Sequence, residues 1–294
     1  MLKRNCHRKG CNRIRSEFSL FLNRRCPPCV AGQTYCSDSC LLAQVEQDVA
    51  GKWDLVHGQR ALKIPRPKIG TILLQSQYLT REQLDAAIAM QLSSHEGRLG
   101  EVLVRLGYVE ERQITLALAK QWGLPLIDLR HCEVQPGAVK SVPGKVATCG
   151  KMLPVGYDGS RGALRIAVSS PMEPASRAAL GRMLQREIVP YIADSSAVRE
   201  MIQYFYPSSE IDTTACATFA SREELLALIR QAAISAIRER AENIQFELLE
   251  DYSWVRIDYI EMSRHAVFRH SMPCYLDPVT AQLKPQRLAY AAAQ

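Results

Sequence analysis

The stretch GRLGEVLVRLGYVEERQITLALAKQ, residues 97–121, repeats a stretch that begins thirty residues earlier, PKIGTILLQSQYLTREQLDAAIAMQ, residues 67–91. Seven positions are identical in the two copies, including Gly70 with Gly100, and each copy ends on a glutamine, Gln91 or Gln121. Most of the other apolar positions differ only by a conservative exchange. Self-similarity at a fixed spacing indicates a duplicated structural unit, so this stretch predicts two copies of one element.

Each copy is predicted to be a helical hairpin. In the first copy one helix spans Lys68–Ser76, and a second spans Thr80–Gln91 after a break near residue 77. Thr80 and Gln83 have the spacing of a capping box, which satisfies free N–H groups at the start of a helix. One face of the second helix carries Leu84, Ala87, Ile88 and Gln91 at helical spacing. A glutamine at the end of an apolar stripe in both copies predicts a shared partner.

The whole chain has the composition of a globular protein with two or three domains. It has 294 residues, of which 47% are hydrophobic and 23% charged. No run of about eighteen apolar residues is present to cross a bilayer. The basic start, MLKRNCHRKG, lacks the apolar segment of a secretory signal. We therefore expect a cytoplasmic protein without a membrane span.

The net charge of +7 belongs to one end of the chain. Residues 1–66 contain twelve Lys and Arg against five Asp and Glu, which accounts for the whole excess. A basic end suits phosphate, an acidic partner or a membrane surface, and it equally suits a solvated arm. No aromatic residues alternate with a basic stripe and no recognition helix is evident, so nucleic acid is not an expected partner.

Six of the ten cysteines lie between residues 6 and 40. They form three close pairs, Cys6 with Cys11, Cys26 with Cys29, and Cys36 with Cys40. Thiolates presented from tight turns are typical ligands of structural zinc, and cytosolic chains rarely keep disulfides. The spacing therefore predicts a structural zinc site of one or two ions. One arrangement is a single site made of Cys26, Cys29, Cys36 and Cys40.

A second arrangement follows from a resemblance. The stretch CPPCVAGQTYCSDSC, residues 26–40, resembles the middle of MYND-type zinc fingers, where Cys-x-x-Cys precedes Tyr-Cys-x-x-x-Cys. In that family the pairs alternate between two zinc ions. The resemblance implies a first ion bound by Cys6, Cys11, Cys36 and Cys40, with Cys26 and Cys29 starting a second site. In either arrangement the last pair is expected at a helix N-terminus, where the dipole favours thiolate.

The duplicated stretch also resembles a known family. Its second copy reads Arg-Leu-Gly-x-x-Leu-Val-x-x-Gly-Tyr-Val from Arg98, and then ends on Gln121. This pattern is similar to the N-terminal domain of type II secretion and type IV pilus assembly ATPases, and among them to MshEN domains, in which two tandem motifs bind cyclic di-GMP. Carried over by position, the implied ligand-binding residues are Arg98, Leu99, Gly100, Ile114, Leu118 and Gln121, with Lys68, Ile69, Gly70, Leu84, Ile88 and Gln91 in the first copy.

The chemistry of these residues suits a ligand with two equivalent guanine nucleotide halves. Arginine can form two hydrogen bonds to the edge of guanine, and glycine lets a ligand approach the backbone. The first copy departs from the motif at Lys68, which cannot make the planar pair of contacts, and at Gln77, which replaces the hairpin glycine. Losing one such contact weakens binding about tenfold or more.

The resemblance covers residues 67–207 and, more weakly, 218–272. Strands are expected in WGLPLIDL from Trp122, MLPVGYD from Met152, ALRIAVSSP from Ala163 and EIVPYIAD from Glu187. Helices are expected over Pro174–Gln185 and Ser195–Tyr206. The predicted fold class is an α+β multidomain protein. Its parts are a small zinc finger plus a helix (1–66), a tandem helical hairpin repeat (67–130), a small α/β sandwich (131–207) and a second small α/β domain (218–294), the last a degenerate form of the ATPases' next domain.

The ATP-binding motif of those ATPases is missing from this sequence. Gly51-Lys52, Gly144-Lys145 and Gly150-Lys151 all lack the flanking residues of a phosphate-binding P-loop. No set of nucleophile and base is evident either. We therefore expect a non-catalytic regulator or adaptor that binds cyclic di-GMP and a protein partner from a secretion, pilus or signalling system. The alternative is a purely structural adaptor that docks secretion, pilus or motility components without a nucleotide.

Overall fold

The computed structural model describes residues 4–15, 27–57, 66–94, 97–159, 162–206, 216–249 and 251–271. Within these ranges the chain is an α+β protein with three separate β-sheets and helices packed on two of them. The predicted α+β multidomain fold class is thereby confirmed. No helix among these residues is long and apolar enough to cross a membrane.

The cysteine-rich segment contains three short strands and one long helix. Its elements are β1 (Arg4–Asn5), β2 (Ile14–Arg15), β3 (Cys29–Val30) and α1 (Asp38–Val56). Strands β1 and β2 pair antiparallel. Ser37 caps α1, because its Oγ accepts a hydrogen bond of 3.3 Å from the Cys40 N–H. Cys36 and Cys40 therefore flank the N-terminus of a helix, as predicted.

The repeated stretch forms the two predicted hairpins. Its helices are α2 (Ile69–Gln75), α3 (Arg81–Ser94), α4 (Leu99–Arg105) and α5 (Glu111–Trp122). The capping box is confirmed, since the Thr80 N–H donates to Gln83 Oε1 at 3.0 Å and the Gln83 N–H donates to Thr80 Oγ1 at 3.3 Å.

The two hairpins are interlocked. Helix α2 of the first copy packs against α5 of the second, and α3 packs against α4. The equivalent residues Leu73 and Leu103, like Ala87 and Ala117, are fully or almost fully buried in one common core. The copies are thus related by a pseudo-two-fold exchange, and neither hairpin buries its apolar face alone.

A small α/β unit follows the hairpins. Its elements are α6 (Pro136–Val139), α7 (Gly144–Cys149), β4 (Met152–Tyr157), β5 (Leu164–Val168), α8 (Pro174–Leu184), β6 (Ile188–Ile192) and α9 (Ser195–Phe205). Strand β5 lies in the middle of the sheet, antiparallel to β4 and parallel to β6. The strands expected from Met152, Ala163 and Glu187 are confirmed, and so are the two helices.

The strand expected in WGLPLIDL is wrong. Only a single bridge forms there, between Leu126 and Ile192. Gly123 ends α5 with a left-handed φ of 63°, and Pro125 has no N–H to donate to a ladder. The Pro125 carbonyl still accepts from the Ile192 N–H at 2.9 Å, so pairing with β6 is confined to this short stretch.

The last segment forms a five-stranded sheet with one long helix. Its elements are β7 (Thr218–Phe219), α10 (Arg222–Arg238), β8 (Asn243–Leu248), β9 (Tyr252–Asp258) and β10 (Ser263–His270). The strand order is β3-β8-β9-β10-β7, so β3 of the cysteine-rich segment forms one edge, parallel to β8. Helix α1 packs against α10. Leu41 and Val45 of α1 are buried in one core with Ile229 and Val255, so the two ends of the chain, separate in the sequence analysis, fold together.

Candidate functional site

Four of the predicted metal ligands converge on one point. Their ligand atoms all lie within 4.8 Å of one another, and the four residues are Cys6, Cys11, Cys36 and Cys40. The turn between β1 and β2 presents the first two, and the N-terminus of α1 presents the last two. Hydrogen bonds of the Cys6 N–H to Arg13 O and of the Cys11 N–H to Arg8 O fix the first turn.

The distances within this cysteine cluster fit a tetrahedral metal. The Sγ–Sγ distances are 3.7 Å for Cys11–Cys36, 3.5 Å for Cys36–Cys40 and 3.9 Å for Cys40–Cys11. Four thiolates at about 2.3 Å from a tetrahedral zinc ion lie about 3.8 Å apart, whereas a disulfide measures about 2 Å. The residues present therefore fit a four-thiolate structural site, which is closed to substrate because all four positions are filled by protein.

The charges around the cluster favour thiolate at one of its members. Hydrogen bonding by Ser37 and then by the Arg8 guanidinium holds the pKa of Cys40 below its ordinary value. Arg8 Nη1 lies 3.7 Å from Cys40 Sγ. Burial raises the pKa of Cys36, so the two neighbouring thiols share one proton unequally. Sequence reasoning did not single out Arg8, although its position between Cys6 and Cys11 was the available signal.

The structure decides between the two proposed pairings of cysteines. Cys36 and Cys40 join the pair at the N-terminus, so the single site made of Cys26, Cys29, Cys36 and Cys40 is wrong. Cys29 lies outside the cluster, in β3, where its backbone N–H donates to Glu242 O at 2.8 Å. Cys26 lies outside the described residues.

The two basic residues of the repeat hold equivalent positions. Lys68 is the N-cap of α2 and Arg98 is the N-cap of α4, both with extended backbone. The Arg98 N–H donates to the Glu101 carboxylate at 3.0 Å, a contact that Thr71 cannot supply in the first copy. Each basic residue therefore immediately precedes a short helix of its own copy.

Each of the matched glutamines binds a backbone carbonyl oxygen within the repeat. Gln91 Nε2 donates to Gly97 O at 3.1 Å, and Gln121 Nε2 donates to Pro67 O at 2.7 Å. Both acceptors directly precede the basic N-cap residue of a first helix. Each glutamine thus fastens the end of one hairpin to the start of the other copy's motif, so both bonds cross the two copies.

The matched glycines allow close packing inside each hairpin. A Cβ atom at Gly70 would come within 2.9 Å of Leu84 Cδ1, and one at Gly100 within 3.0 Å of Ile114 Cγ2. The space above each glycine is therefore filled by the second helix of its own copy. The pairs Gly70–Leu84 and Gly100–Ile114, taken as ligand contacts in the sequence analysis, touch each other directly.

The remaining candidate residues are not equivalent in the two copies. Ile88 is 37% exposed on α3, whereas Leu118, thirty residues later, packs against the core of the α/β unit. Ile69 and Leu99 are half-buried at the edge of the repeat core. The asymmetry arises because the second hairpin is docked on the α/β unit, where the Glu111 carboxylate accepts from the Ser196 N–H at 2.9 Å.

Fold and site together define a class: an α+β protein with a four-cysteine cluster and an interlocked tandem hairpin. Residues 122–212 match the model of the MshEN domain family. The matched range begins at the end of α5 and includes the α/β unit, and the hairpins with the twelve candidate residues precede it.

Parts of several known proteins are similar to this chain. The type IV pilus assembly ATPase PilB of Thermus thermophilus is 29% identical over 146 residues, which is 50% of this chain and 16% of PilB. PilB of Myxococcus xanthus is 27% identical over 238 residues, 74% of this chain and 41% of that protein. The structure of MshE with cdg is 30% identical and covers 48% of this chain and 100% of that one, with a TM-score of 0.41. The chain is thus similar to parts of pilus assembly ATPases and spans well under two thirds of either PilB.

Proposed function

We propose that the protein is a non-catalytic regulator that binds cyclic di-GMP through its two hairpins. The observation that carries this proposal is the placement of the motif ends. Gln121 is fastened beside Lys68, and Gln91 is fastened beside Arg98. The repeat therefore has two similar half-sites, each with a basic N-cap and a glutamine, and cyclic di-GMP has two equivalent halves.

The chemistry of each half-site suits one guanylate unit. A guanidinium at Arg98 can pair with the edge of guanine or with phosphate, and an ammonium at Lys68 can attract phosphate as a point charge. Half-buried Ile69 and Leu99, and exposed Ile88, offer apolar surface to a base. The match of residues 122–212, directly after the hairpins, to the MshEN domain model supports this choice of ligand.

Binding would act by joining the two copies. A ligand that contacts both half-sites stabilises the interlocked arrangement and changes the surface that a protein partner meets. The proposed partner is a component of a secretion, pilus or signalling system. The ligand would act on this partner by changing how tightly the protein binds it.

Isothermal titration of cyclic di-GMP into the purified zinc-loaded chain tests this function, with GTP, GMP and ATP titrated into the wild type and into Arg98→Ala for comparison. We expect micromolar or tighter binding that Arg98→Ala abolishes. Arg105→Ala is the matched control, because it removes an exposed arginine from the other end of the same helix. A flat titration with a folded wild-type chain would rule the function out.

A structural adaptor is the second candidate, and a specific observation favours it. The amide nitrogens of both matched glutamines and the space above both matched glycines are already used within the repeat. These four residues would be required for the fold even if no nucleotide bound. In that case Gln121→Leu should lower the melting temperature. Cyclic di-GMP should not change the melting temperature of the wild type or of this variant.

We also propose that the cysteine cluster binds one structural zinc ion. Zinc would stabilise the turn before β2 and the start of α1, and through α1 the shared core with the C-terminal sheet. The Sγ–Sγ distances support zinc as the occupant.

A further inference from the structure

A cavity of about 470 Å³ lies between the second hairpin and the α/β unit. Glu101 of α4 forms one side of it, and residues of α7, α9 and the loop after β5 form the rest. None of the twelve candidate residues of the repeat lines this cavity. Its volume lies in the range of sites that hold small organic ligands.

The polar side of the cavity carries two cations, Arg199 and Lys151, against one carboxylate, Glu101, so its net charge is positive. Arg199 is exposed and has no ion-pair partner among the described residues. Lys151 lies 3.7 Å from Glu101, but both side chains are more than half exposed, so this ion pair is weak. Lys151 has a left-handed φ of 47°, an uncommon conformation that places its side chain at the rim.

A hydroxyl in the same cavity lacks a partner. The Oγ atom of Ser169 is buried and accepts or donates no hydrogen bond in the structure. A buried hydroxyl without a partner is costly, so a ligand that supplies an acceptor there gains free energy. Ser195, exposed at the start of α9, adds a second hydroxyl to the lining.

The opposite side of the cavity is apolar. Val198 and Ile202 lie one turn apart on α9 and are both buried from solvent. A suitable ligand therefore combines an anionic group with a flat or apolar body. Phosphate fits the polar side better than carboxylate, because its oxygens can accept from the guanidinium, the ammonium and a hydroxyl at once.

We propose that this cavity is a second ligand site, for a small organic phosphate of mononucleotide size. Arg199 and Lys151 bind the phosphate, Ser169 donates to it, and Val198 and Ile202 contact the body of the ligand. The site is separate from the half-sites of the repeat, so it does not depend on the binding of cyclic di-GMP. Since its walls come from both the hairpins and the α/β unit, occupancy holds these two parts together.

Titration of AMP, GMP and inorganic phosphate into the full zinc-loaded chain, followed by calorimetry, tests the site. Adenosine and acetate are the phosphate-free comparisons. We expect saturable binding of AMP or GMP and none of adenosine. Arg199→Gln should raise the dissociation constant about tenfold or more, whereas Arg177→Gln, an exposed arginine on α8 outside the cavity, should leave it unchanged.

Two further variants separate this site from the proposed nucleotide site. Arg98→Ala should leave AMP and GMP binding intact. Ser169→Ala should weaken it without lowering the melting temperature of the free chain, because the hydroxyl has no partner there. Binding of acetate as tight as that of AMP, no saturation by any phosphate at millimolar concentration, or loss of cyclic di-GMP binding in Arg199→Gln would each overturn the proposal.

Discussion

Gln77 and Gly107 show how one residue can carry a departure from a repeat. Both adopt left-handed backbone, with φ of 56° and 69°. Both precede a tyrosine whose N–H donates to the carbonyl of Leu73 or Leu103, so the two hairpins turn in the same way. The first copy therefore keeps the same turn although it has glutamine where the second copy has glycine. Gln77 carries the backbone strain of this left-handed conformation.

We expect Gln77→Gly to raise the free energy of unfolding by about 0.5–1 kcal/mol, because left-handed backbone is costly for a residue with a Cβ and the gain outweighs the greater entropy of an unfolded glycine. Gly107→Gln should lower it by a similar amount, since a Cβ there meets nothing within 4 Å and only the backbone strain counts. Urea titration of both variants measures the difference. A loss of stability in Gln77→Gly would contradict the strain argument.

Lys68 is a second single-residue difference between the copies, because the second copy has Arg98 at this proposed ligand-binding position. If both half-sites bind, Lys68→Arg should tighten cyclic di-GMP binding about tenfold by restoring a planar pair of hydrogen bonds. Calorimetry of this variant beside the wild type measures the change. An unchanged affinity would mean that only the second copy contacts the ligand through this position.

At the scale of elements, the cysteine cluster depends on where α1 begins. Ser37 caps the helix, and this places Cys36 and Cys40 on either side of its first turn, facing the turn that bears Cys6 and Cys11. The rest of α1 then runs into the core shared with α10. A metal at the cluster therefore stabilises two elements that are distant in the chain, α1 and α10, whose paired residues Glu46 and Arg230 are 184 positions apart.

We expect the purified chain to contain zinc, and Cys40→Ser to lose one equivalent because a four-thiolate site rarely survives the loss of a ligand. Cys29→Ser is the matched control, since this residue lies in β3 outside the cluster. Metal analysis and thermal unfolding measure both effects, and the melting temperature should fall only in Cys40→Ser. Equal loss of that zinc in both variants would contradict the pairing.

At the scale of the whole molecule, Glu247 of β8 joins three parts of the chain. Its carboxylate is bound by Arg182 of α8 at 2.8 and 2.9 Å and by Lys52 of α1 at 2.7 Å, and the residue is 4% exposed. Gln245 Nε2 also donates to Arg182 O at 3.0 Å. The α/β unit, the cysteine-rich segment and the C-terminal sheet therefore meet at one buried charge.

Glu247→Gln should lower the free energy of unfolding by about 2 kcal/mol at neutral pH, because the buried carboxylate loses its charged bonds to Lys52 and to the half-exposed Arg182. Glu239→Gln is the matched control: its carboxylate binds Arg264 at the surface at 2.8 Å and should cost under about 1 kcal/mol. Chemical denaturation of the two variants gives the comparison. Equal losses of unfolding free energy would show that the ion pairs of Glu247 stabilise the fold no more than a surface ion pair does.

The same contact predicts a dependence on pH. Burial opposes ionisation of Glu247, but Arg182 and Lys52 outweigh it and hold the pKa below its ordinary value. A lowered pKa stabilises the fold above the ordinary glutamate value of about 4.3, and this stabilisation is lost as the pH falls further. The stability gap between wild type and Glu247→Gln should therefore narrow below about pH 4. A gap that stays constant through this range would contradict the ion-pair account.

Local patterns in the sequence determined the elements of this protein. The thirty-residue repeat, the capping box at Thr80 and the alternation after Met152 predicted hairpins and strands, because hydrophobic spacing and capping act between near neighbours. The cysteine spacing predicted a metal site, and the motif from Arg98 predicted which residues to consider for a ligand. The strand predicted after Trp122 was wrong: this stretch pairs with β6 only at the bridge of Leu126, because Gly123 still belongs to the end of α5 and Pro125 has no N–H to lengthen the ladder.

Only the tertiary structure decided which elements meet. Nothing local states that α2 packs on α5, that Gln121 binds the carbonyl before Lys68, or that β3 joins the sheet of β8. Likewise, the spacing allowed two different partner pairs for Cys36 and Cys40. The β1–β2 turn lies beside the start of α1, and this makes Cys6 and Cys11 the partner pair. Such contacts join residues far apart in the chain, and their energy comes from burying surfaces against one another, which a single segment does not record.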